Sequence, residues 1–148
     1  MTTTKKDFRK FVSLMIKDSK TLYRHQAKHN SVYFAGYALE GYIKIILIHH
    51  KTSDFIGHLG DSDFLNKFKR LIALYPNDFN DSILKQTSSQ YPKYLLDGNG
   101  NNTTKTRWNI NSRYQVQHWT DRNFAQRVND ELTYIEQALN DLRMDGVL

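Results

Sequence analysis

The chain contains no cysteine. Disulfide staples, thiolate nucleophiles and cysteine-based zinc sites are therefore excluded, and helix packing has to hold the fold together, as suits a cytoplasmic protein. Proline occurs only twice: Pro76 marks the limit of a helical stretch, and Pro92 marks a limit or a kink. No long hydrophobic run is present: the most apolar stretch, Ile43 to Ile48, is interrupted by Lys44 and falls far short of the roughly 18 residues of a membrane span. The N-terminal Met-Thr-Thr-Thr-Lys-Lys-Asp has no apolar run and small-residue cleavage site behind it, so it does not read as a signal peptide. A soluble protein that does not cross a membrane is expected. Alternating apolar and polar residues, internal repeats, a Gly-rich phosphate loop, a Gly-x-Ser-x-Gly elbow and a metalloprotease helix motif are all missing, which removes several enzyme classes.

What is present is enough for a core. At 148 residues the chain has room for one ordinary domain, 1–148, and its 39% hydrophobic and 13% aromatic residues exceed what disordered chains carry. Lys plus Arg number 21 against 15 Asp plus Glu, a formal charge of +6, which favours polyanions such as RNA or DNA.

The apolar pattern is helical throughout. Phe8, Phe11, Val12, Met15, Ile16 and Leu22 recur at spacings of three and four and predict a first helix over 5–28 with one buried face. A second helix, 31–49, contains SVYFAGYALEGYIKIILI, is apolar nearly all round, and is expected at the centre of a bundle. Gly36 and Gly41 inside it each cost about 1 kcal/mol relative to Ala, which close approach of a neighbouring helix would explain. A loop over 52–60 leads to a third helix capped by Asp61 or Ser62 and patterned by Phe64, Leu65, Phe68, Leu71, Ile72 and Tyr75, up to Pro76 and Asn77. Phe79, Ile83 and Leu84 suggest a shorter fourth helix over 78–89. The segment DGNGNNTTKT, at about 97–106, reads as a flexible loop. Thr120 or Asp121 then caps a last helix whose Phe124, Val128, Leu132, Ile135, Leu139 and Leu142 share one face, with Arg143 and Gly146 as its stop. The fold class is all-α, an antiparallel bundle of four to five helices.

Two segments resemble the HEPN family. YFAGYALEGYIKIIL, Tyr33 to Leu47, looks like the family's long second helix, with its small residues, Glu40 and then Lys44. RWNINSRYQVQHW, followed by the final amphipathic helix, carries Arg113 and His118, which match the family's Arg, four to six residues, His motif. With the helix order, the resemblance spans about 8–142. It implies a HEPN-like bundle, action on RNA, and a homodimer in which each protomer contributes one Arg-His pair to a composite site. It also implies a toxin–antitoxin or phage-defence role, with a cognate antitoxin as partner. Tyr114 follows Arg113, where the family's ribonucleases commonly carry a small polar residue. This Arg-Tyr pair also resembles HEPN proteins not known mainly for nuclease activity, which bind nucleotide, nucleic acid or a partner such as a nucleotidyltransferase.

Metal-independent RNA cleavage needs a base for the ribose 2′-hydroxyl, an acid for the leaving 5′-oxygen and positive charge near the phosphorane. By resemblance, His118 moves protons and Arg113 holds the phosphate, with Tyr114 and Asn111 as auxiliary donors. Five residues apart on an ideal helix, the two would diverge by about 140°. Placed before the final helix they converge more easily, and its N-terminus adds anion affinity. The plainer alternative pairs Arg113 with an acidic side chain and leaves His118 an ordinary imidazole beside Trp119.

Other residues carry two readings each. Glu40 and Lys44, one turn apart, form an ion pair inside an apolar helix, or Glu40 orients Arg113. Lys105, Arg107, Trp108 and Trp119, with Tyr91, Lys93 and Tyr94, interleave cations and rings as single-stranded RNA binders do, although rings more often serve a core. His25 with His29, and His49 with His50, lie near helix ends. No carboxylate or cysteine completes a ligand set, so neither metal nor cofactor is expected.

Overall fold

The computed structural model describes residues 4–50, 70, 73–74 and 122–144. Within them all regular structure is α-helical: α1 is Lys5–Arg24, α2 is Lys28–His49 and α3 is Arg122–Met144. Arg70, Ala73 and Leu74 are also helical, in agreement with the pattern read over 61–75. The remaining expectations for 51–121, including the fourth helix, the loop at 97–106 and the caps Thr120 and Asp121, lie outside the described residues.

Thr4 starts α1. Its hydroxyl accepts the Asp7 N–H at 3.2 Å, and the Asp7 carboxylate accepts the Thr4 N–H at 3.0 Å, a reciprocal capping box. The backbone bond from Thr4, and then that from its hydroxyl, hold the Asp7 carboxyl below the usual carboxylate range.

The first helix stops at Arg24, four residues before the expected Lys28, and the second starts three residues before the expected Ser31. The reason is a turn that the sequence does not advertise. Gln26 adopts φ 64°, its N–H bonds the Tyr23 carbonyl at 3.0 Å, and the Ala27 N–H bonds the Leu22 carbonyl at 2.8 Å. This is the Schellman arrangement, with glutamine where glycine is usual.

The two helices therefore form a tight antiparallel hairpin. Lys5 Nζ donates to His49 Nδ1 at 3.2 Å at one end. At the other, Ser19 Oγ donates to the Ser31 carbonyl at 2.6 Å and Ser31 Oγ to the Ser19 carbonyl at 2.9 Å. Each serine has one hydroxyl proton, and both are spent on the opposite backbone, so this buried polar bridge is self-satisfied. Between the two ends, a Cβ on Gly41 would lie 2.6 Å from Val12 Cγ2 and 3.3 Å from Phe11 Cδ1. Close helix approach thus accounts for Gly41; Gly36 is buried as well.

The core combines all three helices. Val12, Met15 and Ile16 of α1 meet Leu39, Tyr42, Ile43 and Ile46 of α2 and Val128, Leu132, Ile135, Leu139 and Leu142 of α3 in one buried cluster. Each such side chain contributes about 1.5–3 kcal/mol when fully withdrawn from water. Phe11, read from sequence as core, is 38% exposed and edges onto Tyr37, with ring centroids 6.2 Å apart. It stands at the border of the buried stripe, where three-and-four spacing does not separate inside from rim.

Helix α2 also corrects the sequence reading of membrane capacity. Its 22 residues are long and apolar enough, by length and composition, to cross a bilayer, because Val32, Phe34, Ala35, Ala38 and Leu39 extend the short Ile43–Ile48 run. In the fold, 78% of its apolar window is buried. Protein supplies the apolar surroundings that lipid would otherwise supply.

Candidate functional site

Glu40 lies in the middle of α2 between Leu39 and Gly41 and is 5% exposed. A carboxylate on so apolar a helix requires compensation. Lys44 stands one turn on, its Nζ 3.9 Å from Glu40 Oε2 and 5.9 Å from the centroid of the Phe8 ring. That separation is longer than a direct hydrogen bond, so Lys44 balances charge rather than occupying a lone pair. Its side chain remains 34% exposed, the stem crossing the hairpin while the ammonium reaches water. Glu40 has further interactions beyond Lys44.

A second buried acid was missed by sequence reasoning. Glu131 of α3 is 8% exposed. Val128, Glu131 and Ile135 follow one another by three and four, so Glu131 shares the apolar face of its helix. That spacing is the signal in the sequence that marks Glu131 as inward-facing. Two helices of the core thus each hold one carboxylate inside the fold.

Of the residues assigned to a site from sequence, Glu40 is the one the structure describes. Arg113, His118, Tyr114, Asn111, Lys105, Arg107, Trp108 and Trp119 lie outside the described residues. Helix α3 begins at Arg122, four residues after His118 in the chain.

The histidines separate. His25 ends α1 and is exposed, whereas His29 sits in the first turn of α2 and is buried. His49 and His50 stack edge to face with centroids 4.9 Å apart, and His49 accepts from Lys5. Among the described residues no three His, Asp or Glu side chains come together as a metal site.

Comparison of the chain with protein-family models, curated proteins and solved structures gives no match.

Proposed function

We propose that this chain is a HEPN-family protein that acts on RNA as a metal-independent endoribonuclease, working as a cytoplasmic homodimer in a toxin–antitoxin or phage-defence setting. The observation that carries the reading is the segment RWNINSRYQVQHW set immediately before a long amphipathic helix. The other resembling segment, Tyr33 to Leu47, lies wholly within the buried α2, and its Glu40 is held inside the fold.

In this reading His118 takes the proton of the ribose 2′-hydroxyl. The freed oxygen attacks phosphorus, the P–O5′ bond breaks, and a proton delivered to the 5′-oxygen completes the exchange, leaving a 2′,3′-cyclic phosphate. Arg113 balances the charge that builds on the phosphoryl oxygens, with Tyr114 and Asn111 as further donors and Glu40 orienting Arg113. Lys105, Arg107, Trp108 and Trp119 bind the strand. A second reading is favoured by Tyr114, which follows Arg113: a non-catalytic HEPN module that binds nucleotide, nucleic acid or a partner protein such as a nucleotidyltransferase.

The test is RNA cleavage by the purified protein in chelator, with Arg113→Ala and His118→Ala at matched folding. Cutting by wild type and by neither variant supports the nuclease. An inert wild type hands the case to the binding module. Glu40→Gln adds a finer division: lost activity with an intact fold points to orientation of Arg113, a lost fold to charge balance alone.

A further inference from the structure

The positive charge of the chain is concentrated on one helix. Helix α1 carries seven Lys or Arg against two Asp, so five of the six net charges belong to its 20 residues. The rest of the chain is nearly neutral, with fourteen basic against thirteen acidic residues.

The helix also orders that charge in space. At 100° per residue, Lys6, Lys10, Lys17 and Arg24 fall within an arc of about 40°, and the ridge they form runs about 27 Å along the axis. All four are exposed, as is Ser13 on the same line. Lys20 continues the ridge but is held by Glu136 of α3 at 3.5 Å. Asp7 and Asp18 lie about 100° away round the helix, on the side of Leu14. Asp7 is coupled electrostatically to Lys10 and Lys6, but among the described residues no close ion pair is formed by any of the four ridge cations. Holding like charges in line costs free energy that a mixed surface would avoid.

We infer that the Lys6, Lys10, Lys17 and Arg24 ridge of α1 is a docking surface for the sugar–phosphate backbone of a nucleic acid. Successive cations stand about 6 and 10 Å apart, which matches phosphates two to three nucleotides apart along a strand that rises about 3.4 Å per nucleotide. Flexible lysines suit a contact that positions a backbone without reading bases. A bilayer fits less well: Val12, Met15 and Ile16, the apolar face an interfacial helix would insert, are committed to the core. The inference needs neither the Arg113–His118 chemistry nor HEPN membership.

The experiment measures affinity of the full chain for a labelled 2′-O-methyl RNA, which lacks the attacking hydroxyl, and for DNA of the same sequence, across a salt series. Lys6→Gln, Lys10→Gln, Lys17→Gln and Arg24→Gln are combined in one variant. A charge-matched control combines Lys28→Gln, Arg70→Gln, Arg127→Gln and Arg143→Gln, and circular dichroism verifies both folds. The expected result is at least a tenfold loss for the ridge variant, with the log–log salt slope flattened by about 2 to 3, from about 0.7 per phosphate contact on a single strand. The control should lose much less. Equal losses in both variants, an unchanged ridge variant, or wild type that binds phosphatidylserine vesicles and neither nucleic acid would overturn it. Loss on RNA and DNA alike, or on RNA alone, supports the ridge. Cleavage of unmodified RNA is followed in parallel. Ridge-dependent binding without cutting leaves this inference standing and removes the nuclease, whereas cutting with undiminished affinity after ridge neutralisation does the reverse.

Discussion

Helices α1 and α2 are nearly equal in length, 20 and 22 residues, and lie against each other as a hairpin, yet they solve opposite problems. Helix α2 buries fifteen of its residues and exposes little that is charged; α1 buries four and keeps its lysines in water. The difference follows from how apolar residues are distributed round each circumference. A helix apolar on every side needs partners on every side, and α2 receives α1 and α3, whereas a helix with one apolar stripe becomes the boundary between core and solvent. Stability should accordingly concentrate in α2, and recognition of charged ligands in α1.

The largest expected effect tests the first half of that statement. Leu39, fully buried in α2, should cost about 2–5 kcal/mol when cut back in Leu39→Ala, a large share of the roughly 5–15 kcal/mol that domains possess. Urea denaturation followed by circular dichroism reads this directly. A loss under about 1 kcal/mol would mean that α2 is not the packing centre.

Next comes the line along which the two helices touch. Gly41→Ala gains about 1 kcal/mol of helix propensity but drives a methyl to 2.6 Å from Val12 Cγ2. Phe11 is half-exposed and its ring can swing aside; Val12 is fully buried and stiff at χ1, so the backbones must part. Overpacking of this kind costs about 1–3 kcal/mol, which less the propensity gain leaves a net loss of up to about 2 kcal/mol by the same denaturation. Val12→Ala should relieve part of it in the double variant, giving a coupling energy of about 1 kcal/mol. Strictly additive losses would show that the contact is already loose.

How much of this was legible beforehand depends on which physical rule each feature obeys. The apolar series of α3 and the all-round apolarity of α2 could be read directly, since burial leaves a periodic trace. Glu40 and Lys44 could be placed on one face because four residues make one turn. The break at His25–Ala27 left no such trace: it is made by backbone bonds and a left-handed glutamine, and any residue can supply those bonds. Phe11 was misplaced because spacing identifies a stripe without its edges. The Ser19–Ser31 bridge joins residues whose type names no partner. Of the candidate site, only Glu40 can be compared with the structure, and the charge ridge of α1 was hidden because net charge was counted over the chain rather than round a helix.

That glutamine joins the two contrasted helices and offers a gain instead of a loss. Gln26 holds φ 64°, a region that glycine occupies without the steric cost of a Cβ. Its side chain is exposed, so removing it sacrifices no packing. Gln26→Gly should stabilise the hairpin by about 0.5–1 kcal/mol, the ordinary yield of an improved cap, visible as a raised Tm. An unchanged or lowered Tm would show that the freedom glycine adds to the unfolded chain outweighs the strain removed.

The smallest effect is the sharpest probe of what lies outside α1. Leu14 is 51% exposed, on the flank of the charge ridge between that ridge and Phe11. In a protomer that stands alone, Leu14→Gln removes no packed core contact and should change stability by no more than about 0.5 kcal/mol. In a homodimer that covers this flank, the same substitution would bury an amide and cost about 1–3 kcal/mol, and the wild-type Tm would rise with protein concentration while that of the variant did not. Light scattering on both proteins separates the cases. A dimer that survives Leu14→Gln intact seals some other surface and leaves the ridge of α1 open along its length, as the nucleic-acid inference requires. A dimer that dissolves on this substitution places the second copy beside the ridge and confines any bound strand to the far side of Lys6, Lys10, Lys17 and Arg24.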